Sequence, residues 1–445
     1  MKKKYELIME HIQDKVASNE LTQGQRLPAI RTMSKQFSCN KSTVIRAYKE
    51  LEMNHKIYAI PKSGYYLVEQ HPLNNHHHGP IDFSQVLPDH RLLPYKEFNH
   101  CINRAVEVYK SDLFSYSDAA GLPSLRKVLV KHFSEYQIFA LEDNIMITSG
   151  AQQALSILTK MPFPNDRRLI AVEQPTYRLI HRMAELNGYK LLGINRDHNG
   201  LDLNELERVF KEDDVKFFYT IPRLHNPLGS SYTEKDKKRI IELANKYDVY
   251  IVEDDYLVDL DTNKKNMPLY YHDLYNRVIY VKSFSKAFMP GIRIGAVILQ
   301  EKMKGTFLAY KKCEDLSTSV LAQGALEIFI KSGMYKRHIQ KAQKDYKKKM
   351  DILRLYLRSI DTSNVECIVP ETGFFVWIKV SKRIKMSLLS SKLREKNIYI
   401  SPGEEFFIDK MEQMNSFRLC ISHLSHEEIK RGIEELFGEI QNFSQ

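Results

Sequence analysis

The sequence predicts a two-part protein: a small domain of three helices and a hairpin, then a large α/β domain built on a mainly parallel sheet. Three observations carry this. The first 70 residues hold helix-period apolar patterns followed by two short β-rich runs. Residues 69–80 (Glu-Gln-His-Pro-Leu-Asn-Asn-His-His-His-Gly-Pro) have linker composition. From about residue 81 onward, short apolar runs alternate with helical stretches, as strands covered by helices do. We therefore place a head at 1–69, a linker at 70–80 and a body at 81–445.

In the head, Ile8, Ile12 and Val16 recur every fourth residue and predict a helix over 5–17. A turn follows from Thr22 to Pro28, around Gly24. Ile30, Met33 and Phe37 mark a short second helix. Asn40 is a fitting N-cap for a third, in which Val44, Ala47, Tyr48 and Leu51 form the buried stripe. That stripe turns Lys41, Ser42, Thr43 and Arg46 outward near the helix start. Ile57–Ile60 and Tyr65–Val68, joined by Pro-Lys-Ser-Gly, read as a hairpin with Lys62 at its tip. Three short helices and a hairpin make a winged helix-turn-helix, whose third helix can enter a major groove while the wing touches the backbone beside it.

In the body, the runs Ile145–Thr148, Leu169–Val172, Phe217–Thr220, Tyr250–Val252, Val278–Val281 and Gly295–Leu299 read as strands. The basic stretch Lys331–Lys349 reads as a solvated helix face.

Composition narrows the class. Of 445 residues, 43% are hydrophobic and 27% charged, which excludes wholesale disorder. The uninterrupted apolar stretches fall far short of the ~20 residues of a membrane span. The start, Met1-Lys2-Lys3-Lys4, runs into Glu6, Glu10 and Asp14 without the apolar core of a secretion signal. Cys39, Cys101, Cys313, Cys367 and Cys420 are scattered, which points away from a zinc site or disulfide framework and toward a reducing cytoplasm. His76–His78 read as linker and not as metal ligands. Net charge is +11, and residues 1–70 hold twelve Lys and Arg against seven Asp and Glu. Nearly half of the excess thus sits in the head, as contact with a phosphate backbone requires.

The body carries a constellation of strand-end motifs. Ser283-Phe284-Ser285-Lys286 follows a strand, with Arg293 seven residues beyond the lysine. A lysine there can form a Schiff base with an aldehyde, while hydroxyls and a guanidinium hold a nearby phosphate. Ile251-Val252-Glu253-Asp254-Asp255-Tyr256 puts acids at the end of a strand that should be central, where a carboxylate can pair with a protonated pyridine nitrogen. Thr148-Ser149-Gly150-Ala151-Gln152 places a small-residue turn before a helix, whose backbone N–H groups cradle phosphate. Glu173-Gln174-Pro175-Thr176-Tyr177 presents a ring able to stack on a flat cofactor. Pro222 to Gly229 supplies Asn226 before a proline-stiffened turn.

The head resembles the GntR family of bacterial repressors. The likeness lies in Arg26-Leu27-Pro28-Ala29-Ile30-Arg31, in Lys41-Ser42-Thr43-Val44 with Ala47-Tyr48, and in Ser63-Gly64-Tyr65. Ala29 departs from it, standing where the family usually has Ser. The resemblance implies double-stranded operator DNA as partner and Arg31, Lys41, Ser42, Thr43, Arg46 and Lys62 as contact candidates.

Over about residues 81–440 the body resembles the fold-type I, aspartate-aminotransferase-like family of pyridoxal 5'-phosphate proteins. That likeness implies that Lys286 holds the cofactor as an internal aldimine and that Asp254 pairs with its ring nitrogen. It further implies that Asn226 and Tyr256 bind the ring oxygen, that Tyr177 stacks on the ring, and that Gly150, Ala151, Gln152, Ser283, Ser285 and Arg293 surround the phosphate. Arg418, in Phe417-Arg418-Leu419, becomes the clamp on a ligand carboxylate. Tyr116 matches a tyrosine that reaches the phosphate of the partner subunit, which implies a homodimer. Head and body together are the architecture of the MocR subfamily of GntR regulators. The expected function is a cytoplasmic, pyridoxal-phosphate-dependent transcription regulator that senses an amino compound by forming an external aldimine. The alternatives are an aminotransferase acting on an amino acid and a 2-oxo acid, and a sensor of the coenzyme itself.

Overall fold

The computed structural model describes residues 3–18, 20–22, 24–53, 56–60, 63–68, 79–359, 365–409 and 415–443. Lys62, and all of the expected linker except Gly79 and Pro80, lie outside the described residues, His76–His78 included. The chain divides into two compact units, Met1–Gly79 and Pro80–Gln445.

The first unit has helices at Lys4–Ala17, Ile30–Gln36 and Lys41–Met53. Ile8, Ile12, Met33, Val44, Ala47, Tyr48 and Leu51 share one core with Leu27, Ile57 and Leu67. The hairpin pairs Ile57–Ile60 with Gly64–Leu67, from Ile57 opposite Leu67 to Ile60 opposite Gly64. Its second strand is shifted one residue from the expected Tyr65–Val68, because Gly64 belongs to the ladder. That glycine has φ +130, and a Cβ there would stand 3.0 Å from Arg26 Nε. Arg26 itself bridges to Tyr66, so the chain before the second helix adds to the hairpin.

The main sheet of the second unit has eight strands among the described residues. Their order is Ile145–Thr148, Gly295–Ile298, Val278–Ser283, Tyr250–Asp254, Val215–Thr220, Leu169–Gln174, Leu191–Asp197 and Gly200–Leu201. Pairing is parallel from Val278–Ser283 through Leu191–Asp197; Gly295–Ile298 runs antiparallel to both its neighbours, and Gly200–Leu201 is an antiparallel edge. The six expected strands are all present, and Tyr250–Asp254 is central. Leu191–Asp197 was missed because Asn195, Arg196 and Asp197 break any apolar run. Strand burial on both faces explains the continuous apolar texture of the rest.

A second, antiparallel sheet lay outside the sequence expectation. Its order is Val365–Ile368, Phe375–Val380, Ser416–Cys420 and Ser401–Pro402. The helix Met334–Ser359 packs against His426–Asn442. The expected solvated face on this helix needs correction. Lys349 is fully buried, donating to Asp89 Oδ2 at 2.6 Å and to the Ser422 carbonyl at 2.9 Å. An apolar stripe of Tyr335, Ile339, Ala342, Tyr346 and Met350 buries the same side. No helix among the described residues is long and apolar enough to cross a membrane.

Candidate functional site

The strand ends and the second sheet enclose a cavity of about 400 Å³. It is lined by Ala151, Gln152, Tyr177, Asn226, Asp254, Tyr256, Ser283, Ser285, Lys286, Arg293 and Arg418 of the expected set. Gly150 stands behind this lining, and Tyr116 does not line it: its side chain is 83% exposed. Ser84, Val86, Arg178, Ser401 and Phe406 also line the wall and were not foreseen.

Lys286 follows the strand Val278–Ser283, and its Nζ donates to the Val86 carbonyl at 2.9 Å. Burial holds its amine below the ordinary lysine range, helped by the positive charges of Arg418 and Arg293. A larger share is therefore neutral and nucleophilic near pH 7.

Asp254 ends the central strand. Tyr219 donates to its Oδ2 at 2.8 Å, while Oδ1 is buried without a partner. Burial, with Asp255 and Glu173 nearby, pushes its pKa up to about 7. A buried carboxylate with one orphaned oxygen is poised for a cationic N–H.

The phosphate-type end is formed by Gly150, at φ +84, which caps the helix Ala151–Lys160. Arg293 donates to the Ser149 carbonyl at 3.2 Å, and a Cβ on Gly150 would lie 2.7 Å from its guanidinium. The Ser285 hydroxyl is buried and unpartnered, and Ser283 Oγ accepts from the Ser285 N–H at 3.2 Å. A helix N-terminus, an arginine and a free hydroxyl together fit a phosphate. Gln152 donates to the Tyr177 hydroxyl at 3.1 Å, fixing that ring at the cavity wall.

Arg418 sits in the strand Ser416–Cys420, opposite Ser401 and Trp377. Its guanidinium donates to Asn226 Oδ1 at 3.0 Å, to the Ser84 carbonyl at 2.7 Å and to Ser401 Oγ at 3.1 Å. Nε has no partner, and the rings of Phe375 and Phe406 flank the group at 4.7 and 5.0 Å. Tyr256 lines the cavity, and its hydroxyl donates to the Leu224 carbonyl at 3.0 Å. The loop bearing Asn226 is anchored by Glu173, which receives Arg196, Thr220 and the Ile221 N–H and meets His225 at 3.0 Å. Those partners hold the Glu173 carboxyl well below its usual range despite burial.

In the head, Arg31, Lys41, Ser42 and Arg46 are exposed and Thr43 is half-buried. The Thr43 N–H donates to the Asn40 carbonyl at 3.0 Å, opening the third helix. Arg46 is not simply directed outward, since its guanidinium lies 4.3 Å from the centre of the Tyr5 ring. Lys62 lies outside the described residues.

Residues 93–436 match the family described as aminotransferase class I and II, and residues 4–67 match the bacterial regulatory proteins of the gntR family. The HTH-type transcriptional regulator YcxD of Bacillus subtilis is 42% identical over 98% of this chain and all of its own length. Aromatic-amino-acid aminotransferase 1 of Thermococcus litoralis is 31% identical, over 81% of this chain and 88% of its own. The crystal structure of Pyrococcus horikoshii kynurenine aminotransferase superposes with a TM-score of 0.76 at 28% identity, covering 82% of this chain and 92% of that one. With both domains present in one polypeptide, the chain belongs to the HTH-type transcriptional regulators that fuse a GntR domain to an aminotransferase domain, the MocR architecture.

Proposed function

We propose that this regulator works in the cytoplasm as a homodimer, binds operator DNA through its head and senses a small amino compound through pyridoxal 5'-phosphate held in the body. The observation that carries this is the convergence of Lys286, the orphaned Asp254 Oδ1 and Arg418 on one cavity. When bound, the coenzyme supplies an aldehyde that condenses reversibly with primary amines. Lys286 is the amine that holds it. Asp254 keeps a proton on the pyridine nitrogen, and this contact restores its carboxylate to the charged form. Ser283, Ser285, Arg293 and the N–H groups after Gly150 hold the phosphate. Arg418 offers its unpartnered Nε to a carboxylate, which would complete a bidentate pair by taking over the Nη2 hydrogen bond now made to Ser401 Oγ. Tyr116, exposed on its own protomer, serves the partner's phosphate end.

An amino acid whose carboxylate pairs with Arg418 would bring an amine that competes with Lys286, so a free Lys286 would accompany ligand capture. Such a ligand shifts the DNA-binding equilibrium only through unequal affinity for the two arrangements. A gel-shift with DNA from promoters adjacent to the gene tests this reading. Amino acids should alter a specific shift, and absence of any specific shift at every salt concentration overturns it.

A second reading, transamination, draws on Asn226 bonded to Arg418 and on the similarity to aminotransferases. Incubation with amino donors and 2-oxo acids separates the two. Sustained turnover favours the enzyme, whereas a single half-reaction favours the sensor.

A further inference from the structure

A second and larger cavity, of about 920 Å³, lies in the body and shares no lining residue with the first. Lys127 and Lys131 from the helix Pro123–Ser134 stand on one wall, and Lys264 belongs to another. We propose that this cavity is a second ligand site, for a small molecule bearing two or more phosphate or carboxylate charges.

The charge pattern is the first support. Of the acids around the cavity, Glu135 is paired with Lys336 at 3.0 Å and Glu327 with Lys331 at 3.3 Å. Asp261 takes the Asn266 side-chain amide at 2.7 Å, and burial raises its pKa. Lys127, Lys131 and Lys264 have no acidic partner among the described residues. Three unpaired ammonium groups against the one unpaired carboxyl of Asp261 leave an excess of positive charge around one concavity, which attracts a polyanion far more than a single charge.

The second support is a buried polar atom. His132 is 7% exposed and lines this cavity, yet its Nε2 has no hydrogen-bond partner. Rings of Tyr136 and Tyr335 hold the imidazole edge-on at 5.2 and 5.1 Å, so its direction is fixed without a polar contact. A native fold rarely leaves such a nitrogen unsatisfied; Nε2 is sealed behind the cavity wall, and a turn of the ring toward the cavity would let a ligand oxygen supply what it lacks.

The cavity also adjoins the candidate site through the backbone. Arg223 lines it and is gripped by Asp255, the neighbour of Asp254, while Asn226 lies three residues beyond Arg223.

Calorimetric titration of the full chain with pyrophosphate and with citrate, at about 0.15 M salt, tests the assignment. Saturating pyridoxal 5'-phosphate is present throughout so that the phosphate end of the first cavity is filled. Saturable binding at one probe per chain is expected, weakened at least about tenfold by Lys127→Ala with Lys131→Ala. Both lysines are exposed, so this variant keeps its fold. Arg293→Ala should leave the affinity unchanged. Loss on Arg293→Ala alone assigns the probe to the first cavity, and unaltered binding by the lysine variant overturns the second site. The lysine pair is read equally well in a chain that takes no coenzyme, so failure of the sensing reading leaves this result interpretable. Tighter binding of pyrophosphate selects a phosphorylated ligand, and tighter binding of citrate selects a carboxylic one.

Discussion

Asp254 is held by the fold in a charge state that suits it badly on its own. Burial moves its pKa from 3.8 to about 7, so the folded chain without coenzyme binds a proton there that the unfolded chain has lost. Its contribution to stability therefore falls as pH rises from about 3.8 to about 7, at roughly 1.4 kcal/mol per pH unit. Asp254→Asn keeps a partner for Tyr219 and removes the titration. We expect the coenzyme-free variant to match the wild type near pH 4 and to exceed it in denaturant midpoint by a growing margin up to pH 7. Saturating coenzyme should reverse the order, because a pyridine N–H on Oδ1 favours the charged acid. A constant difference across that window sinks the assignment. The residue was legible because a strand-end acid is a local pattern. Tyr219, Ser84 and Ser401 were not, since Tyr219 and Ser401 reach Asp254 and Arg418 through strand pairing, and Ser84 reaches Arg418 from a bend 334 residues away.

Among the elements, the third helix of the head, Lys41–Met53, shows how an amphipathic pattern divides labour. Val44, Ala47, Tyr48 and Leu51 fix its buried side, leaving Lys41, Ser42 and Arg46 exposed. Lys41 has no acidic partner among the described residues, whereas Arg46 also covers Tyr5 of the first helix. Lys41→Ala should therefore weaken operator binding and reduce the slope of log affinity against log salt by about one, with an unchanged melting temperature. Arg46→Ala should weaken binding and also lower the melting temperature of the head, through the lost contact with Tyr5. Equal melting behaviour of the two variants contradicts this division. Helical periodicity exposed this buried stripe, yet it misjudged Met334–Ser359. Lys349 looks like any lysine of a charged run, and its burial is explained chiefly by Asp89, 260 residues away, with the Ser422 carbonyl beside it. The strands Phe375–Val380 and Ser416–Cys420 were likewise passed over; Phe375-Val376-Trp377-Ile378 is a β-rich run in itself, but its pairing with Ser416–Cys420 is not visible in either segment alone.

At the scale of the whole molecule, two compact units, the head with an apolar core of its own, imply two separable activities. Ten buried apolar residues of the head form their own cluster, and every residue lining the candidate site lies between Ser84 and Arg418. A fragment of residues 80–445 should keep the coenzyme absorbance and its response to amino acids, and should lose the operator shift. A fragment of residues 1–79 has the reverse inventory, but a dimer that presents two heads gains effective concentration for paired half-sites. Its affinity for the operator should therefore fall at least about a hundredfold below that of the full chain. Tight binding by the isolated head removes the need for a dimer, and a body fragment blind to amino acids places ligand sensing elsewhere. Domain division was readable in advance from the change of texture near residue 81, because core-forming periodicity is local to each unit. Coupling between the units is not a local property, and only the paired fragment measurements, set beside the full chain with and without ligand, resolve how much of the response each unit holds by itself.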